Sequence, residues 1–157
     1  GGESPLVKQY MALHYQFFPF LPAKAVDPSR IRWMGVVDTQ RRERLGMASK
    51  WVDEAETVVC FDHHVDAQSD LGNAELVVDR VGAVTTLIAE RIQQAGLQLT
   101  ASEATLLCLA IHADTGSLTF ENTTPRDACM LAWLLSQGAS QRAIAEFSQP
   151  TLTTDQQ

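Results

Sequence analysis

A chain of 157 residues, 45% of them apolar, is the size of one domain and can bury a core of its own. Its formal charge of −7 argues against a module that grips long nucleic acid by the phosphates, which needs clustered Lys and Arg, although an acidic protein can still bind phosphate through metal ions. The longest apolar run, Leu106 to Ile111, is too short to span a bilayer and no basic-then-apolar leader opens the chain; Cys60, Cys108 and Cys129, with no C-x-x-C pair, read as reduced core residues, so the cytoplasm is expected.

Ser4-Pro5 has the pattern of an N-cap followed by proline, and apolar residues then recur at helical spacing, which predicts a helix over 5–18 stopped by Pro19 and Pro22. Phe20 to Val26 reads as a short extended segment before the Asp27-Pro28-Ser29 turn. Trp33 to Val37 predicts a strand with Asp38 at its carboxyl end. Arg41, Arg42 and Arg44 follow, then a short helical stretch from Ala48 to Glu54. Thr57 to Phe61 predicts a buried strand that runs straight into Asp62-His63-His64. Beyond a polar loop, Glu75 to Asp79 is another strand, and Gly82 opens a helix with Val84, Leu87, Ile88 and Ile92 on one face, ended by Gly96. Thr100 and Glu103 form a capping box for a helix that is apolar nearly all round from Ala104 to Ala113, hence buried, and that ends on Asp114-Thr115-Gly116. Leu118 to Phe120 reads as a brief strand, Thr124 to Asp127 caps a helix reaching Gln137, and Ser140 starts a shorter one. Strands alternating with helices predict an α/β fold with a mostly parallel sheet flanked by helices, one domain over 1–148, and a polar linker or tail over 149–157.

In such sheets ligands bind outside the carboxyl ends of the strands, where Asp38 and Asp62-His63-His64 fall. Successive residues of an extended chain point to opposite faces, so Asp62, His63 and His64 can share one ion only where the chain turns sharply; one ligand with two supporting residues is expected. Mixed carboxylate and imidazole donors suit Mn²⁺, Fe²⁺, Co²⁺ or Zn²⁺ and a metal-bound water, hence hydrolysis. Against this, a lone carboxylate at a strand end is usually a turn-former, and the arginine cluster is ordinarily a solvated helix face. His112 is expected to pack or hydrogen-bond in the core, and a zinc pair of Cys60 with His64 lacks a second pair to complete it.

Val36-Val37-Asp38-Thr39, Asp62-His63-His64, Gly82-Ala83-Val84-Thr85-Thr86 and His112-Ala113-Asp114-Thr115-Gly116-Ser117-Leu118, in that order, resemble successive motifs of the DHH phosphoesterase superfamily. The resemblance covers Trp33 to Ala139; within it, Gly116 to Ser140 is similar to the DHH domain that precedes CBS domains and a poly(A) polymerase or CCA-adding tRNA nucleotidyltransferase region in some bacterial proteins. The resemblance implies Asp38, His63 and Asp114 as metal ligands, His64 facing the scissile phosphate and Asp62 orienting its neighbours. It also implies a two-ion site for Mn²⁺, or Mg²⁺ or Co²⁺. Its implied partners are a nucleotide or short RNA substrate and neighbouring CBS and nucleotidyltransferase domains, with no membrane and with room for a homodimer. The family's opening H-x-x-x-D-x-D motif occurs nowhere in these residues, so the first strand and half the metal cage are expected to be absent. Two readings therefore stay open: a metal-dependent phosphoesterase acting on phosphodiester or phosphoanhydride bonds, and an inert regulatory or dimerisation module that keeps the fold.

Overall fold

The computed structural model describes residues 5–148. Three strands, β1 (Trp33–Val37), β2 (Thr57–Asp62) and β3 (Glu75–Val78), form one sheet in that order. Both pairings are parallel, with Val37 opposite Phe61 and Phe61 opposite Val77, so all three carboxyl ends lie along one edge. The ladder continues one residue past β1, where the Asp38 N–H donates to the Phe61 carbonyl at 2.9 Å and sets Asp38 beside Asp62. Val58, Cys60 and Asp62 are the buried residues of β2, as its period of two requires. Val58 and Cys60 join Val36, Val52 and Leu71 in a small core under the sheet.

Six α-helices are described: α1 (Pro5–His14), α2 (Trp51–Glu54), α3 (Val84–Gln94), α4 (Ala101–Thr115), α5 (Pro125–Ser136) and α6 (Gln141–Ser148). The second and larger core lies between helices, with Ala104, Cys108 and Ile111 of α4 against Ala89 of α3 and Met130, Leu131 and Leu134 of α5. A third, smaller contact packs Tyr10 of α1 against Leu109, and the Tyr10 hydroxyl donates to the Ser102 carbonyl at 3.2 Å. Helix α4 is thus surrounded, as its apolar sequence predicts, and each of its fully buried large side chains contributes roughly 1.5–3 kcal/mol of transfer free energy. The expected Thr100–Glu103 capping box is present, with Thr100 N–H to Glu103 Oε2 at 2.8 Å and Glu103 N–H to Thr100 Oγ1 at 3.3 Å. At the other end Gly116 takes the left-handed conformation (φ 54°) that closes a helix without a Cβ clash.

Several expected elements differ. The first helix stops at His14 and continues only as a 3-10 turn over Tyr15–Phe17, because Phe18, preceding Pro19, is driven to extended backbone (φ −120°, ψ 139°). The segment expected to be extended over Phe20–Val26 holds a 3-10 turn, Ala23–Ala25, entered through Pro22. The stretch before β2 is 3-10 over Arg42–Lys50, broken at Gly46 (φ 57°), and becomes α-helical only over Trp51–Glu54. No strand forms over Leu118–Phe120: Ser117 and Leu118 adopt positive φ (56° and 70°), and the N–H groups of Thr119 and Phe120 both fold back on the Thr115 carbonyl at 3.0 Å. Cys60 and Cys108 are buried, but Cys129 is exposed on α5 and not a core residue. The proposed Ser4 cap and the tail over 149–157 lie outside the described residues.

Candidate metal centre at the strand ends

Asp62 is the hub of the site and is fully buried. Its Oδ1 accepts from the His63 N–H (2.8 Å), the His64 N–H (3.3 Å) and His64 Nδ1 (2.7 Å), while Oδ2 accepts from Gln40 Nε2 (2.9 Å). Burial pushes this carboxyl up, but the bonds from Gln40 and His64 together outweigh it and hold the acid below its ordinary range. The three bonds from His63 and His64 to Oδ1 turn the chain sharply there, so these successive residues are no longer bound to the strand's alternation of faces.

That turn brings four side chains together. Asp38, Asp62, His63 and His64 each offer a ligand atom, and these atoms lie within 4.8 Å of one another. His63 Nδ1 is 3.1 Å from the Val81 carbonyl, and a carbonyl only accepts, so Nδ1 carries the proton. Its other nitrogen, Nε2, is 3.3 Å from Asp38 Oδ1. Asp38 raises the His63 pKa, burial opposes this, and the Val81 carbonyl adds to the rise. The imidazole of His64, half-exposed, is fixed through Nδ1 by Asp62, which leaves its Nε2 without a partner among the described residues. Asp38 itself has φ 64°, a left-handed conformation uncommon for a residue with a Cβ.

Asp114, in the last turn of α4, stands outside the tight group of four. Although solvent reaches its side chain, the protein packed around it pushes its carboxyl up, and the charge of Asp38 does so further while His63 opposes. Of the five residues expected from sequence, four converge and the fifth is coupled to two of them by charge. Cys60 turns away and donates to the Thr39 carbonyl at 3.3 Å, so no Cys60–His64 pair forms. His112 is partly buried and its Nδ1 is unpartnered, so of the two expected alternatives it packs rather than hydrogen-bonds. Arg42 is held by Asp53 at 2.6 and 2.7 Å, whereas Arg41 and Arg44 line a hollow of about 210 Å³ with Asp38, Gln40 and His64. On its other side His64 borders a hollow of about 500 Å³ with Arg80 and Asn122. The concavity beneath Arg42 and Leu71, about 330 Å³, holds no such cluster among the described residues.

The donor set fits a divalent cation: one carboxylate oxygen and one imidazole lone pair face each other across a gap, backed by a second imidazole and a further acid. Two contributors were not legible from sequence, Gln40 and Asp127. The first carries no motif. Asp127 is recognisable as a helix cap, but nothing in its spacing shows that it reaches Gly82.

No family model matches the chain. It is 34% identical over 139 residues to the A-adding tRNA nucleotidyltransferase of Geobacter sulfurreducens, covering 88% of this chain and 16% of that protein. It is 42% identical over 99 residues to the enzyme of the same name from Aquifex aeolicus, covering 63% of this chain and 12% of that protein. The chain thus spans less than a fifth of the curated relatives it matches. Among solved structures it superimposes on an exopolyphosphatase-related protein from Bacteroides fragilis with TM-score 0.69, at 16% identity, over 81% of this chain and 38% of that one. A putative family II inorganic pyrophosphatase from Methanococcus jannaschii superimposes with TM-score 0.65, at 20% identity, over 94% of this chain and 49% of the other. With its parallel sheet, its ordered motifs and these relatives, the chain carries a DHH-type fold and is similar to the DHH phosphoesterases, matching a segment of the A-adding tRNA nucleotidyltransferases.

Proposed function

We propose that this DHH-type domain is a metal-dependent phosphoesterase unit of a tRNA nucleotidyltransferase-related protein, hydrolysing phosphodiester or phosphoanhydride bonds of nucleotides or short RNA. One observation carries the reading: His63 Nδ1 donates to the Val81 carbonyl, which turns Nε2 toward the Asp38 carboxylate at 3.3 Å. Two electron-rich atoms at that distance repel unless a proton or a cation lies between them. Asp38, His63 and Asp114 would hold the cation, Mn²⁺ being the first choice and Mg²⁺ or Co²⁺ alternatives. When bound, such an ion supplies Lewis acidity toward a phosphoryl oxygen and lowers the pKa of a bound water. Asp62 holds His64 through Nδ1 at the edge of the groove, leaving Nε2 free to hydrogen-bond a phosphoryl oxygen. Arg41 and Arg44, on the same groove, add positive charge toward a phosphate.

A second reading is favoured by one fact: the side chains that converge, Asp38, Asp62, His63 and His64, offer one ligand atom each within 4.8 Å of one another, enough to hold one ion. On that reading the domain binds a cation and regulates or dimerises without turnover. Mn²⁺ titrated calorimetrically, followed by assays on pyrophosphate, a cyclic dinucleotide and a short oligoribonucleotide, separates the two. Binding with hydrolysis of any of the three supports the enzyme, binding without hydrolysis supports the module, and no binding removes the metal site.

A further inference from the structure

Asp127 lies on α5, remote in sequence from every motif of the site, and is fully buried. Its Oδ2 accepts from the Gly82 N–H at 2.9 Å, the Thr124 N–H at 2.7 Å and the Thr124 hydroxyl at 2.7 Å. Its Oδ1 accepts from the Ala83 N–H at 3.1 Å and the Thr86 hydroxyl at 2.6 Å. Thr124 with Asp127 is the capping box of α5, and that role alone would need only the Thr124 contacts. Of the remaining three donors, Gly82 and Ala83 lie in the loop that leads into α3 and Thr86 in its first turn, so the carboxylate does a second job there.

Gly82 N–H and the Val81 carbonyl belong to the same peptide unit. The unit is planar, so fixing its N–H direction fixes its C=O direction as well. The Val81 carbonyl is the group that His63 Nδ1 meets at 3.1 Å. Asp127 and His63 therefore hold opposite ends of one peptide group, carboxylate to N–H and C=O to imidazole. A carboxylate on the N–H also polarises the peptide, which strengthens the carbonyl as an acceptor. Space is shaped around the same contact: a Cβ on Gly82 would come within 3.0 Å of Asp127 Oδ2 and 2.7 Å of Thr115 Cγ2.

We propose that Asp127 is a positioning residue that fixes the tautomer and ring orientation of His63 through the Val81–Gly82 peptide, so that Nε2 is the nitrogen presented to Asp38. Carboxylates that orient a ligating histidine usually touch it directly. Here a backbone amide stands between them. The tautomer half of the inference needs no metal; the half that concerns cation affinity rests on the proposed metal site.

The test is the ring ¹⁵N spectrum of the cation-free protein at a pH where imidazole is neutral. With four histidines in the chain, assignment by single His→Gln variants is practical. In the wild type His63 is expected as the Nδ1–H form, and an Nε2–H form there would overturn the relay outright. In Asp127→Ala, His63 is expected to become a tautomer mixture while His64, held by Asp62, keeps its pattern. An unchanged His63, or the same disturbance at both rings, overturns the proposal. Thr86→Val and Thr124→Val remove donors of the same carboxylate without touching the Gly82 peptide and should leave His63 as in the wild type; a shift there equal to that of Asp127→Ala also counts against the relay. Should Asp127→Ala fail to fold, Asp127→Asn is read in its place, alongside the wild-type tautomer. Mn²⁺ affinity, measured separately, is expected to fall roughly 10–100-fold in the Asp127 variant. If wild type binds no Mn²⁺, the metal reading fails while the tautomer data still decide the relay.

Discussion

Gly82→Ala is the sharpest single perturbation the structure offers. The added Cβ would lie 2.7 Å from Thr115 Cγ2, 3.0 Å from Asp127 Oδ2 and 3.2 Å from Asp127 Cγ. Neither neighbour can swing aside. Both are fully buried; the Thr115 hydroxyl donates to the Ile111 carbonyl at 2.6 Å and accepts from the Leu118 N–H at 3.1 Å, and Asp127 is held by its five donors. Overpacking of this kind costs roughly 1–3 kcal/mol. Weakening a bond between the Gly82 N–H and a carboxylate adds up to about 1.5–3 kcal/mol, and the lower entropy of an unfolded Ala chain returns about 0.4–1 kcal/mol. The expected net loss is about 2–4 kcal/mol, a large part of the roughly 5–15 kcal/mol that holds a domain together. With a urea m-value of about 2 kcal/mol/M, the unfolding midpoint should fall by about 1–2 M, read by far-ultraviolet circular dichroism. Adding Thr115→Ser deletes the atom behind the shortest contact and keeps the hydroxyl, so the double variant should recover part of the loss. A midpoint within about 0.3 M of wild type for Gly82→Ala would show that this loop is not packed as described.

Other consequences follow from the same geometry. Burial pushes the thiols of Cys60 and Cys108 up to about 11, with the charge of Asp62 adding to the effect at Cys60, while Cys129 is exposed. A disulfide reagent should therefore modify one thiol rapidly in the native protein and all three in denaturant; a second fast thiol would contradict the burial. Asp62 and Asp127 are both held below the ordinary carboxylate range, because hydrogen bonds from Gln40 and His64, and from Thr86 and Thr124, outweigh the upward push of burial. Their stabilising contribution is then fully present above the ordinary carboxylate pKa of about 4 and is lost as pH falls through the depressed native values. Urea midpoints should fall steeply only below that point, and less steeply in Asp127→Asn; parallel acid profiles would refute the assignment. Burial and then Asp38 raise the Asp114 carboxyl, so its ionised form works against the cation-free fold. Asp114→Asn should gain a little stability without cations, well under ~1 kcal/mol once solvent screening is allowed for. The same variant should abolish the Mn²⁺-dependent rise in melting temperature, and a rise equal to wild type would remove Asp114 from the ligand set.

Where local chemistry alone decides the structure, the residues could be read in advance. The strands Trp33–Val37 and Thr57–Asp62 follow from apolar, β-prone runs, and α4 follows from a capping box at one end and a glycine at the other. Parallel pairing brings Asp38 to Asp62 because both end strands that share a direction. Misreadings occur where a contact distant along the chain or a backbone conformation settles the outcome. Leu118 to Phe120 has strand-like residues, yet the Thr115 carbonyl captures two of its N–H groups and curls the segment into a turn. Asp127 looks like an ordinary cap because its sequence neighbours supply only the Thr124 contacts, while Gly82, Ala83 and Thr86 are contributed by the tertiary fold. Gln40 has no signature, since any short polar side chain could follow Thr39; only the turn that places it over Asp62 gives it a role.

The fold treats its acids unequally, and that inequality supports the proposed cation site. Asp127 receives five hydrogen bonds and Asp62 four, and each lies below the normal carboxylate range despite complete burial. Asp38 and Asp114 are treated otherwise. Asp38 sits at φ 64° with its carboxylate toward the imidazole lone pair of His63. Asp114 accepts no hydrogen bond among the described residues, has its carboxyl pushed up by burial and then by Asp38, and occupies the last turn of α4, where the carbonyl ends of the helix already concentrate negative charge. A left-handed backbone at Asp38 and an Asp114 carboxyl raised by burial and then by Asp38 add nothing to the stability of the cation-free domain. In the proposed site, a cation between Asp38, His63 and Asp114 would offset the charge of both acids, and the left-handed turn at Asp38 directs its carboxylate toward His63.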